Sequence, residues 1–200
     1  MSPQEWSVVY FVVAATALLG SPGPGILSLV AIGRTQGWRD GLRYYAGLQL
    51  GLATAAAASV AGLASLLIVY PAIGRAMTTL ATLYLLYLAW CIARSPVGTE
   101  FGERRTLAPV WSGFALGIAN PKAYPAFASL LTSHTLLAGH IADGLLKWSL
   151  LVTVILIVDI AWLMFGVSLK QARLNPLGER AMNWGFALLI VTAALWEIRW

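Results

Sequence analysis

Residues 6–33 read WSVVYFVVAATALLGSPGPGILSLVAIG, a run with no charge, bounded by Glu5 and Arg34. About 20 apolar residues suffice for a helix to cross the roughly 30 Å of bilayer hydrocarbon, so this run is long enough to span. Its middle, Ser21-Pro22-Gly23-Pro24-Gly25, does not suit a regular helix. Each proline lacks a backbone donor and clashes with the preceding turn, while glycine permits unusual dihedrals. In hydrocarbon the carbonyls freed by such a break find no water, so it is tolerated only against protein or a polar cavity. A single proline would read as a plain kink. Pro-Gly-Pro followed by another glycine is too disruptive for that, and the segment reads as a span broken toward the interior of a membrane protein.

The rest of the chain fits that reading. Of 200 residues, 59% are apolar and 10% charged, against roughly 25% charged in a soluble domain. A chain this short cannot bury so much apolar surface by itself. Further uncharged or nearly uncharged runs cover Tyr44–Tyr70, Ala76–Ala93, Pro109–Leu137, Trp148–Leu169 and Ala181–Trp196. The expected fold is therefore an all-α polytopic membrane protein of six transmembrane helices. No Lys or Arg lies within residues 1–5, so the first run is expected to be a retained helix rather than a signal peptide. The single cysteine, Cys91, excludes an intrachain disulfide.

Charge placement gives an orientation. Arg34, Arg39, Arg43, Arg94, Arg104, Arg105, Lys170, Arg173 and Arg180 follow the odd-numbered spans, whereas Arg75, Lys147 and Arg199 lie on the other side. By the positive-inside rule both termini face the periplasm or exterior. The basic residues are scattered singly, with no stripe for nucleic acid.

The two halves, residues 1–94 and 109–200, share an order of features on either side of a polar connecting loop, 95–108. Each opens with a broken helix, at Pro22-Gly23-Pro24 and at Asn120-Pro121-Lys122. Each then has Asp-Gly-Leu near the start of the next helix, at residues 40–42 and 143–145. Three spans per half make the halves inverted repeats. Paired broken helices in inverted halves point to a transporter's central site.

Two charges lie deep within spans, Lys122 and Asp159. Asp159 falls near the middle of the stretch between Lys147 and Lys170. Lys122 lies about 16 Å beyond Trp111 at about 1.5 Å per helical residue. An intramembrane charge costs about 2.5–3.5 kcal/mol on insertion scales, so it normally has a partner or a role. The pair is either a buried ion pair joining two helices or part of a substrate and proton path. The expected path residues are Pro22, Gly23, Pro24, Gly25, Asn120, Pro121, Lys122 and Asp159. Gly47, Gly51, Ala55 and Ser59 form a ladder of small residues at four-residue spacing, which suits close helix packing within the monomer or across a homodimer.

At these motifs the chain resembles the LysE/RhtB family of amino-acid exporters. The resemblance rests on Ser21-Pro22-Gly23-Pro24-Gly25, Gly37-Trp38-Arg39-Asp40-Gly41 and Asn120-Pro121-Lys122-Ala123, and covers essentially the whole length. It implies a secondary transporter, usually proton-driven, exporting amino acids or related small metabolites across the bacterial inner membrane. There are two departures. Gly25 stands where the family commonly has Asn, and Gly47-Leu48-Gln49-Leu50-Gly51 carries no acid where many members have one. The alternative is a metal or cation transporter of the same architecture, for which Asp159, Asn120 and hydroxyls would be the available donors. An enzyme is not expected, since no His or second acid lies deep in a span to form a catalytic constellation. No cofactor and no metal site are expected, and the implied partners are a small-molecule substrate and membrane lipid.

Overall fold

A computed structural model describes residues 3–62, 70–94, 110–120, 122–133, 135–171 and 175–198. These form eight α-helices: α1 (Pro3–Gly20), α2 (Pro24–Gln36), α3 (Trp38–Val60), α4 (Pro71–Ala93), α5 (Val110–Ala119), α6 (Ala123–Ser133), α7 (His140–Gln171) and α8 (Pro176–Ile198). The chain folds as an all-helical membrane protein. Among the described residues, Pro71–Ala93 and His140–Lys170 are each long and apolar enough to cross a bilayer. The pair formed by α1 and α2 qualifies jointly as a third span, bent by 62° at its break.

Helix stops and restarts at both motifs among the described residues. α1 stops at Gly20 and α2 restarts at Pro24, whose missing N–H costs nothing at a first helical position. In the second half α5 stops at Ala119 and α6 restarts at Ala123. Pro121 itself lies outside the described residues.

α2 is the centre of the bundle. Ser28, Leu29, Val30, Ala31 and Ile32 are all buried, so this helix is covered on every face rather than along one stripe, as expected of a fully enclosed helix. α1 instead exposes Tyr10 and Val13, and α4 exposes Leu80, Leu83 and Tyr87. Such outward apolar surface is stable against lipid and would be an aggregation hazard in water. A single residue, Gly37, joins α2 to α3. Its φ of 81° is open to glycine at little cost, and its N–H caps Gly33 O at 2.9 Å.

The small-residue ladder packs within the monomer. Among the described residues α3 and α5 make the most extensive helix contact, and glycines on both sides permit it. A Cβ on Gly117 would sit 2.6 Å from Leu48 O and 2.8 Å from Leu52 N. Gly47, Gly51 and Gly113 meet the carbonyl oxygens of Val110, Phe114 and Tyr44 still more closely. A second glycine contact joins α2 to α7, where a Cβ on Gly33 would lie 2.8 Å from Leu163 O. The first-half helix α3 packs on α5 and α6, the second-half helix α7 packs on α1 and α2, and α4 packs on α8.

Candidate functional site

The two breaks meet. Lys122, in the second break, extends its ammonium to the first, where Nζ donates to Ser21 O and to Ser21 Oγ, the latter at 2.6 Å. The glycines of the first break provide the room. A Cβ on Gly23 would fall 2.7 Å from Lys122 Cδ, and one on Gly25 would fall 3.3 Å from Asn120 Nδ2. Gly25 is therefore the seat of the Asn120 amide, a physical reason for a bare residue at that position.

Four carbonyls beside the breaks accept from side chains, as burial in a membrane favours. At the end of α1, Ser21 Oγ donates to Leu18 O at 2.9 Å, Trp162 Nε1 donates to Gly20 O at 3.3 Å, and Lys122 serves Ser21 O. At the end of α5, the Tyr124 hydroxyl donates to Ile118 O at 2.8 Å. The Asn120 side chain turns its oxygen to Lys122 N at 3.2 Å, holding the second break in shape. At the start of α2, Ser28 Oγ donates to Gly25 O at 2.6 Å and in turn accepts from the Tyr44 hydroxyl at 2.9 Å. Both breaks are thus tied internally.

Asp159 comes to the same place from the middle of α7. It is buried, and its Oδ2 accepts a hydrogen bond from Gln49 Nε2 on α3 at 2.7 Å. Gly23, Gly25, Asn120, Lys122 and Asp159 all line one cavity of about 40 Å³, closed on its apolar sides by residues including Leu19, Ile26, Leu52 and Ile155. That volume holds about three waters, at roughly 10–15 Å³ of probe-occupied space each. Of the residues expected from sequence, Pro22 and Pro24 do not line the cavity. Pro22 is exposed, Pro24 is buried as the first residue of α2, and both act by shaping the backbone.

Ser21, Ser28, Tyr44, Gln49, Tyr124 and Trp162 also take part, beyond the path residues expected from sequence. Ser21 was read as part of the break rather than as a partner of Lys122. Gln49 was read as the absence of an acid, although a lone amide in an uncharged span signals a buried polar contact. Trp162 gave no signal apart from its indole N–H, which usually finds an acceptor when buried. Among the described residues, no three His, Cys, Asp or Glu side chains gather as a metal site would require.

The cavity brings together the two charge types of an amino acid. An ammonium stands at one wall and a carboxyl group at another. Gly23, Gly25 and Ile26, at the positive dipole end of α2, line the same cavity. A family model described as LysE type translocator matches residues 16–196. A cysteine/O-acetylserine efflux protein of Salmonella typhimurium is 27% identical over 196 residues, covering 98% of each chain. One of the same description from Escherichia coli is 27% identical over 200 residues, again covering 98% of each. No solved structure matches the chain.

Proposed function

The chain belongs to the LysE type translocator family, and on that premise we propose that it is a proton-coupled exporter of amino acids or closely related small metabolites across the inner membrane. The observation that carries the reading is the cavity shared by Lys122 and Asp159 between two broken helices. The named substrates of the relatives, cysteine and O-acetylserine, are α-amino acids, with one carboxylate and one ammonium to match such a cavity.

In this reading the substrate carboxylate binds Lys122 and the N–H groups that begin α2, while the substrate ammonium binds Asp159. The carboxylate displaces Ser21 from the lysine. Proton and substrate ammonium compete for the same carboxyl group, so one is bound at a time. Substrate leaves outward with Asp159 ionised, and Asp159 returns inward carrying a proton. A volume of about 40 Å³ is too small for an amino acid, so the cycle must widen the cavity to admit one.

The proposed architecture is six spans in two inverted repeats, residues 1–94 and 109–200, linked by a cytoplasmic loop, 95–108. Its support is the order of helices, broken then two unbroken, which occurs twice along the chain. The exchange of partners between halves, with α3 on the second broken helix and α7 on the first, is a second support. The charge asymmetry between loops puts both termini outside. Pro22, Gly23, Pro24, Gly25, Asn120, Pro121, Lys122 and Asp159 form the path. A cation-transporting alternative finds few donors, since Asp159 is the only acid lining the cavity among the described residues.

The test is efflux of labelled amino acids and of divalent cations from cells making the protein, with the double variant Lys122→Met/Asp159→Leu as comparison. Removing both charges avoids leaving one of them buried alone. The expected result is stable membrane protein without proton-coupled amino-acid export. Export surviving in that variant would refute the site, and efflux of cations alone would refute the substrate class.

A further inference from the structure

Asp159 is held by a residue that does not line the cavity. Gln49 reaches it from α3 with a 2.7 Å hydrogen bond from Nε2 to Oδ2, and both side chains are buried. The cavity lining contains one acid and one ammonium among the described residues. Glutamine is the neutral counterpart of glutamate, so the partner of Asp159 adds a donor without adding a charge. A carboxylate at position 49 would instead bring two negative groups to hydrogen-bonding distance in a buried setting, where their repulsion is large. The pair would then be relieved by a shared proton or by a cation, and a second ammonium on the substrate can supply that charge.

We propose that Gln49 is a positioning residue that fixes the charge class of the substrate. By holding Asp159 with a neutral amide it keeps the acids and ammoniums of the site equal in number. A zwitterion with an uncharged side chain balances such a site, whereas a basic amino acid brings an ammonium that has no acid to meet it. An unpaired charge in a buried site is strongly disfavoured. Selection among substrates therefore follows the number of acids at the Gln49–Asp159 pair. This inference rests on the export reading given above.

The experiment uses full-length protein in proteoliposomes and compares transport of L-alanine and L-lysine. The variants are Gln49→Glu (two acids), Asp159→Asn (none) and the exchange Gln49→Glu/Asp159→Asn (one acid, with the amide–carboxylate hydrogen bond kept). Wild type is expected to favour alanine. Gln49→Glu should shift the alanine-to-lysine ratio toward lysine by about tenfold or more, the low end of what one charged hydrogen bond contributes. The exchange should restore the alanine preference, and Asp159→Asn should lower transport of both. A stabilising role alone would change the amount of active protein and leave the ratio untouched. Gln49→Glu present at wild-type levels with a wild-type ratio overturns the inference. So does an exchange variant that favours lysine, and this arm decides the matter if Gln49→Glu fails to accumulate. Wild type that moves neither probe overturns the export reading, and the inference with it. Wild type that moves alanine while the variants keep its ratio overturns the inference alone.

Discussion

Adding one methyl group at Gly117 tests how tightly α3 and α5 are joined. A Cβ there would lie 2.6 Å from Leu48 O, 2.8 Å from Leu52 N and 2.9 Å from Gly51 Cα, whereas real Cβ atoms essentially never come within 3.0 Å of such neighbours. All three obstacles are backbone atoms of α3, so no rotamer change relieves them. The helices must part by at least 0.4 Å at this point, the difference between 2.6 and 3.0 Å, and by 0.8 Å to reach ordinary contact at 3.4 Å. Overpacking of this kind costs about 1–3 kcal/mol. At about 2–4 °C per kcal/mol for a chain of this size, Gly117→Ala should lower the Tm of detergent-solubilised protein by about 2–12 °C. The control is Gly185→Ala on α8, where a Cβ would meet nothing within 4 Å. There the better helix propensity of alanine should leave stability unchanged or slightly raised. Gly117 lies three residues before Asn120, so the separation should also move Lys122 and reduce export. A Gly117→Ala protein with the Tm of the Gly185→Ala control would refute this account of the interface.

Gly23→Ala should leave the protein in the membrane yet cut export roughly tenfold or more, because the new methyl displaces the Lys122 side chain, whose Cδ lies 2.7 Å away. Ala57→Leu, on an exposed face of α3, should have little effect in the same efflux assay, and equal effects at the two positions would remove the role given to Gly23. For topology, a cysteine replacing the exposed Ile141 should react with an impermeant thiol reagent outside intact cells, and one replacing Arg43 should react only after permeabilisation. The reverse pattern would overturn the orientation.

The breaks were legible because consecutive proline and glycine leave a helix no alternative, and they fall within a residue or two of the expected positions. Buried Asp159 and half-buried Lys122 were legible for a similar reason, since a charge in an apolar run is costly and conspicuous. Arg34 and Lys147, placed in loops by the sequence, are buried as well. The partners of Asp159 and Lys122 were not legible. Ser21 lies 101 residues from Lys122, and Gln49 lies 110 from Asp159. Nothing local in an amide or a hydroxyl says which distant group it will meet. The ladder Gly47, Gly51, Ala55, Ser59 announced close packing but not its partner. That partner turned out to be a second pair at the same spacing, Gly113 and Gly117, hidden in a segment read chiefly for its break. Trp148, at the start of an apolar run, gives its indole N–H to Ala53 O at 3.0 Å, and its position in the sequence does not indicate that acceptor.

The glycine seams also constrain how the molecule can move. Backbone set directly against backbone leaves no flexible side chain to act as a lubricant, so α3 with α5, and α2 with α7, are expected to travel as single bodies. Each of these pairs takes one helix from each half of the chain. A hinge running between residues 1–94 and 109–200 would have to tear both seams. A motion that spares both seams runs between the two seamed pairs, where α3 meets α7, and carries Gln49 with the one pair and Asp159 with the other.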